Sequence, residues 1–233
     1  MEQEPNELIK NAAQWTAAPL QDGPVKARDI SKYYLKHLVG LIQSDPGLSS
    51  EITPLIGQIK GIQESIRSYE QINWLNISNG CIGIGPKPKD QLIRDLALHG
   101  NVQIVSLLTE EEGASDIRRT TKDCNLKWRG FDLPEDQLPK KEQYYDLTKL
   151  YIKMMSAIQQ GKCLYIHCSD GIFRSGMIAY SLLQSIGYPP KKAKKMLKEL
   201  SKEASKEMGK QRYDWADESA PELIKIKKEK FLS

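Results

Sequence analysis

His167 and Cys168 stand side by side in "IHCSDGIFRSG", with Gly171 three residues past the cysteine, Arg174 six past it and Ser175 next. These residue types suit one chemistry. A thiolate is a nucleophile that needs no metal, and a guanidinium is a planar fork matched to two oxygens of a phosphoryl group. Ser169, Asp170, Gly171, Ile172 and Phe173 lie between them. As a loop entering a helix, they would turn backbone N–H groups inward around an anion, with the helix N-terminus adding positive potential. Gly171 lets that loop turn tightly with no Cβ in the way. The same field, with Arg174, favours a reactive thiolate at Cys168.

Such a loop needs a strand before it and a helix after it. "KCLYIHC" reads as a buried strand, and "RSGMIAYSLLQSIG" reads as an apolar helix closed by Gly187. Upstream, "INWLNIS" and "CIGIG" read as two strands, "KPKDQLIRDLALHG" as a helix, "VQIVSLL" as a covered strand, "LKWRGFD" as a weaker strand and residues 140–160 as a helix. Strand and helix alternate, so the core is α/β. Before it, residues 1–25 read as a loose polar arm. Residues 28–44 and a helix from Thr53, its N-cap, with Pro54 first, form a helical pair. The division is therefore 1–25 arm, 26–69 helical extension and 70–233 catalytic domain.

The bulk properties are those of an ordinary globular chain of 233 residues with formal charge +4. The excess is concentrated at 189–212, where nine Lys or Arg face three Glu in what reads as one helix with a solvated face. Nucleic acid is not an expected partner. No apolar run reaches the length of about 18 residues that a membrane span requires. Cys81, Cys124, Cys163 and Cys168 show no zinc spacing and are too few for a disulfide scaffold, so a reducing, cytoplasmic setting is expected. No metal or other cofactor is expected. Trp74, Trp128 and Trp215 read as packing residues, and His37 and His99 as bystanders.

"HCSDGIFRS" resembles the His-Cys-x5-Arg-Ser/Thr signature of the cysteine-dependent protein tyrosine phosphatases. With "GCIGIGPKPKDQLIRDLALHGNVQIVSLLTEEE", the likeness is to the compact dual-specificity branch, over residues 71 to about 200 and not over 1–68. It implies a three-layer fold, a central sheet flanked by helices, and hydrolysis of phosphate monoesters in proteins through a phosphocysteine. It also implies that the loop accepts phosphate, sulfate or vanadate. By resemblance, Cys168 is the nucleophile, Arg174 binds the phosphate, Ser175 donates to the sulfur, His167 orients the loop and Asp170 braces the arginine. Inositol phosphates, phosphoinositides, RNA 5′ phosphates and binding without turnover are the alternatives.

A general acid is also implied, about 30 residues before the cysteine. "FDLPEDQLP" offers three carboxylates. Asp136, 32 residues before Cys168, fits the spacing best, while Glu135 and Asp132 stay open. Cys163 is too far along its strand from Cys168 to pair with it, about 16 Å; Cys81 or Cys124 is the candidate for redox protection of the nucleophile.

Overall fold

The computed structural model describes residues 4–20 and 24–231. The chain separates into two compact units, Met1–Gln71 with Arg94–His99, and Ile72–Ile93 with Gly100–Ser233.

The first unit is helical: α1 (Pro5–Thr16), α2 (Pro24–Ser44) and α3 (Ser49–Glu70). Here the expected arm is corrected. Leu8, Ile9 and Ala12 are spaced to share one face of α1 and are buried with Leu38, Ile52, Leu55 and Ile59. Positions 1–3 and 21–23 of that arm lie outside the described residues. α3 also starts earlier than expected, at Ser49, with Pro54 inside its first turns rather than at its first position. Within this unit His99 is no bystander: its ring stacks on Tyr69 with centroids 4.0 Å apart.

The second unit is built on a five-stranded sheet in the order β1-β2-β5-β3-β4. β1 (Leu75–Ile77) and β2 (Gly80–Gly85) form an antiparallel hairpin, while β3 (Val102–Ser106), β4 (Lys127–Gly130) and β5 (Cys163–His167) run parallel to β2. β5 is central and buried at every residue, which explains its unbroken apolar run. The connections are α4 (Asp90–Ala97), α5 (Ala114–Asp123) and α6 (Tyr144–Gln159). α5 has a polar sequence, "ASDIRRTTKD", and no expectation covered it.

After β5, α7 (Phe173–Ile186) is buried along nearly its whole length and ends at Gly187 with φ +118°, as expected of a left-handed C-cap. α6, α7 and α10 (Lys210–Phe231) pack together over β2 and β5. The expected single helix at 189–212 is broken. α8 (Pro190–Leu200) stops at Ser201, whose backbone is extended and whose Oγ accepts from the Ala204 N–H of α9 (Lys202–Glu207) at 3.0 Å.

The cysteines correct the sequence reading most plainly. Cys81 and Cys163 face each other in the β2–β5 register and are joined by a disulfide, with Cα atoms 4.4 Å apart. The pair sits 82 residues apart in sequence, so no local spacing announces it. Its presence removes the ground on which a reducing compartment was expected. It also takes Cys81 out of the role of partner for the nucleophile. Among the described residues no helix is long and apolar enough to cross a membrane.

Candidate active site

β2, β5 and β3 end level, with Gly85, His167 and Ser106 in register. The chain leaves each at its C-terminal end, where open parallel sheets collect ligands. There Cys168 begins the loop to α7. Gly171 holds φ +80°, and a Cβ on it would come within 2.2 Å of the Gly85 carbonyl carbon, so glycine is required by both conformation and space. Lys87 N–H donates to Ser169 O at 3.1 Å and fastens the loop to the chain leaving β2.

Cys168 is fully buried at the base of this loop. Its sulfur accepts from Gly171 N–H at 3.3 Å and lies 3.5 Å from Ser175 Oγ. His167 packs beside it, also buried, with Nδ1 3.4 Å from the Cys168 carbonyl. Burial, joined by the charges of Lys87 and Arg174, pushes the imidazole down to about 4, so the ring is neutral at pH 7.

Arg174 is only 1% exposed, an unusual place for a cation. Its partner is Glu112, which no sequence argument singled out. The two guanidinium nitrogens Nη1 and Nη2 each donate to one carboxylate oxygen at 2.7 Å, a fork-to-fork pair. Nη1 also donates to Leu133 O at 2.8 Å, and Nη2 to Ser169 Oγ. Glu112 further accepts from Thr109 N–H at 3.0 Å and from Ser169 Oγ at 3.2 Å. The Arg174 hydrogen bonds, foremost, hold the Glu112 carboxyl down at about 2. Burial opposes the charge on Arg174, but Glu112, Cys168 and Glu135 outweigh it and the guanidinium is held protonated more firmly than usual.

Asp170 does not brace the arginine, and that expectation is corrected. Its Oδ1 accepts from Ile172 N–H at 2.9 Å and lies 3.2 Å from Cys168 Sγ, which donates to it. The acid therefore fills one cradle N–H and covers the sulfur. Phe173, the first residue of α7, lies under the Arg212 guanidinium at 5.1 Å from the ring centroid.

Asp132, Glu135 and Asp136 are all exposed on the segment after β4. Leu133 of the same segment reaches Arg174 through its carbonyl, and Glu135 adds its charge to the field there. Trp215 fixes the far end, donating its indole N–H to Pro139 O at 3.1 Å.

The signal for Glu112 lay in "TEEEG", three acids just past the C-terminal end of β3 and so at the mouth of the sheet. What hid it was the unknown strand order, which alone places β3 beside β5.

No protein-family model matches the sequence, and no curated protein matches it either. Solved structures do. Kinase associated phosphatase, with serine in place of its catalytic-site cysteine, is 16% identical over 65% of this chain and 94% of that chain, with TM-score 0.55. PTPMT1 in complex with PI(5)P is 16% identical over 65% of this chain and 97% of that one, with TM-score 0.53. Tk-PTP in the active form is 17% identical over 63% and 95%, also with TM-score 0.53. The five-stranded mixed sheet and its flanking helices thus have the fold that these three phosphatases share.

Proposed function

We propose that this chain is a cysteine-dependent phosphatase of the dual-specificity type, hydrolysing phosphate monoesters on tyrosine, serine or threonine of proteins. The observation that carries this reading is the juxtaposition of Cys168 Sγ, Ser175 Oγ and the Glu112-clamped Arg174 around one loop. Cys168 Sγ attacks phosphorus as the ester P–O bond breaks, and the departing oxygen takes a proton from a carboxylic acid. Water then attacks the phosphocysteine, the S–P bond breaks, and the sulfur leaves as a thiolate eased by the Ser175 hydroxyl. The water's proton returns to the carboxylate. Arg174 holds the equatorial oxygens throughout, and the backbone N–H groups of residues 169–173 share that charge.

The proton donor belongs to the segment after β4. Asp136 has the spacing, and Glu135 and Asp132 are its rivals on the same exposed stretch. His167, neutral and buried, orients the loop.

Phosphotyrosyl peptide turnover tests the reading. The wild-type chain is expected to release phosphate without added metal, and vanadate to block it. Cys168→Ser should fall to background yet still retain phosphopeptide. Turnover surviving in Cys168→Ser would overturn it. Faster turnover of inositol phosphates or phosphoinositides than of any phosphopeptide would keep the chemistry and replace the substrate. A cytoplasmic site of action is the reading from composition, and the Cys81–Cys163 bond challenges it, because such bonds persist in oxidising compartments. Trapping the thiols of intact cells before lysis tells the two apart.

A further inference from the structure

A groove of about 850 Å³ runs along the open edge of the sheet. β4 is the last strand and pairs only with β3, and its outward backbone groups have no hydrogen-bond partner among the described residues. β4 and the two residues after it, Phe131 and Asp132, form part of the lining, with Arg118 of α5 and a face of α6 on either side.

The lining carries charge that the fold leaves unused. Arg118 is accounted for, since it pairs with Glu110 at 3.6 Å and lies over the Trp128 ring at 5.4 Å. Lys127, Lys149 and Lys153 are exposed and enter no ion pair among the described residues. Arg129 is half-buried, and its Nε donates to the neutral Gln103 Oε1 at 3.1 Å. Burial accordingly pushes its guanidinium down, a cation desolvated without a carboxylate. Asp132 and Asp146 also line the groove, so four uncommitted cations face two uncommitted carboxylates.

A free strand edge and unspent cations in one trough suit an extended chain that carries acids. We infer that this groove takes an acidic segment of the phosphoprotein substrate, added as a strand to β4, with its carboxylates on Arg129, Lys127, Lys149 and Lys153. This rests on the protein-phosphatase reading above and names the class of protein it would act on. The mode is strand addition: main-chain bonds supply affinity and alternate side chains supply choice. β4 offers four residues, room for about 13 Å of partner chain. The groove extends to Asp132, next in sequence to Leu133, whose carbonyl holds Arg174. A segment docked along β4 therefore leads toward the cysteine loop. Lysines on a short edge strand also serve to ward off pairing, but that duty explains neither the trough nor the lone Arg129.

Three phosphopeptides test it, sharing one phosphosite and differing in a flanking five-residue stretch: alternating Glu and Val, alternating Gln and Val, and the Glu version with alternate backbone amides N-methylated. para-Nitrophenyl phosphate serves as the substrate that cannot reach the groove. The acidic peptide is expected to exceed the Gln peptide in kcat/KM about tenfold, the scale of a few exposed ion pairs acting together. N-methylation should erase most of that gain. The double variant Lys149→Glu with Lys153→Glu should erase it as well while leaving para-nitrophenyl phosphate turnover unchanged. Equal rates on the acidic and Gln peptides, or a preference that survives the double variant, would overturn the docking site. Full activity of the N-methylated peptide, with inorganic polyphosphate competing equally well, would also overturn it and assign the groove to small polyanions. Should para-nitrophenyl phosphate itself resist hydrolysis, the phosphatase reading fails on its own. Fluorescence anisotropy of the unphosphorylated acidic stretch then decides: binding lost in the double variant supports the groove, and no binding to the wild type sinks it.

Discussion

The cysteine loop and the carboxylate segment facing it are built on opposite principles. The first is enclosed: Cys168, His167, Arg174 and Ser175 are all buried, and Arg174 is held by Glu112, Leu133 and Ser169 at once. The second shows Asp132, Glu135 and Asp136 to solvent, although Phe131 and Leu133 of the same segment are buried in the core and the Leu133 carbonyl and the Pro139–Trp215 bond hold its ends. An anion cradle gains from being fixed before the substrate arrives, since its dipoles then need no reorganisation during the reaction. A proton donor gains from reaching the leaving oxygen only when a substrate is there. The contrast teaches that positioning is concentrated on the side that meets phosphorus.

The largest effects expected test the exposed side. On a phosphotyrosyl peptide, Asp136→Asn should lower kcat by about 10²–10⁴-fold, the usual worth of a general acid. Glu135→Gln and Asp132→Asn should lower it far less. The deficit should shrink on para-nitrophenyl phosphate, whose leaving group needs less help. A large loss in Glu135→Gln or Asp132→Asn instead would move the role to that residue.

On the enclosed side, Glu112→Ala leaves a buried guanidinium uncompensated. A loss of about 3–5 kcal/mol in unfolding free energy is expected by urea titration, with a fall in kcat because the arginine is no longer aimed. The carboxyl of Glu112 is held at about 2, below its ordinary 4.5. Its stabilising contribution is therefore complete above pH 4.5 and is lost as pH falls toward 2. His167, held at about 4 against an ordinary 6.5, acts in the same direction between those values: the unfolded chain takes up its proton first, so stability drops as pH falls from 6.5 to 4. Glu112→Gln should flatten only the lower window, as followed by thermal unfolding at successive pH values.

How much of this was legible in the sequence divides along the same line. The loop from Cys168 to Ser175 is contiguous, so its residue types, the buried strand before it and the apolar helix after it could be read directly. Glu112 and the Cys81–Cys163 bond are products of strand order. They require β5 to lie between β2 and β3, and nothing local says so. α1 was passed over because a 12-residue helix shows only three buried positions amid polar ones. The break at Ser201 lay within reach of capping rules, but the Lys/Glu periodicity runs straight across it. Asp170 was misassigned because family resemblance gave it a partner, Arg174, that Glu112 occupies.

The disulfide gives a third test, of comparable size in stability and smaller in activity. It closes a separation of 82 residues, for which chain-entropy arguments give about 4.5 kcal/mol and practice about 2–5 kcal/mol. Cys81→Ala with Cys163→Ala should lower the unfolding free energy by that order while kcat on para-nitrophenyl phosphate changes less than about threefold. If kcat collapses with stability intact, the bond bears on the cysteine loop itself, and the enclosed side is less self-sufficient than its hydrogen bonds suggest.

The smallest effect concerns Asp170, the one member of the cradle that works against an incoming anion. Its Oδ1 occupies the Ile172 N–H and accepts from the sulfur, so phosphate must displace it. Two costs are entangled there, the occupied N–H and the negative charge, and two variants part them. Asp170→Ala removes both; Asp170→Asn keeps an oxygen able to accept from Ile172 N–H but removes the charge. Vanadate should inhibit Asp170→Ala about tenfold more tightly than the wild type, ~1.4 kcal/mol, and iodoacetate should alkylate Cys168 faster once the sulfur is uncovered. A full gain in Asp170→Asn assigns the cost to charge, and a gain in Asp170→Ala alone assigns it to occupancy. If neither variant changes vanadate affinity or alkylation, the carboxylate swings out at no cost, and the cradle is less fixed than the clamp on Arg174 implies.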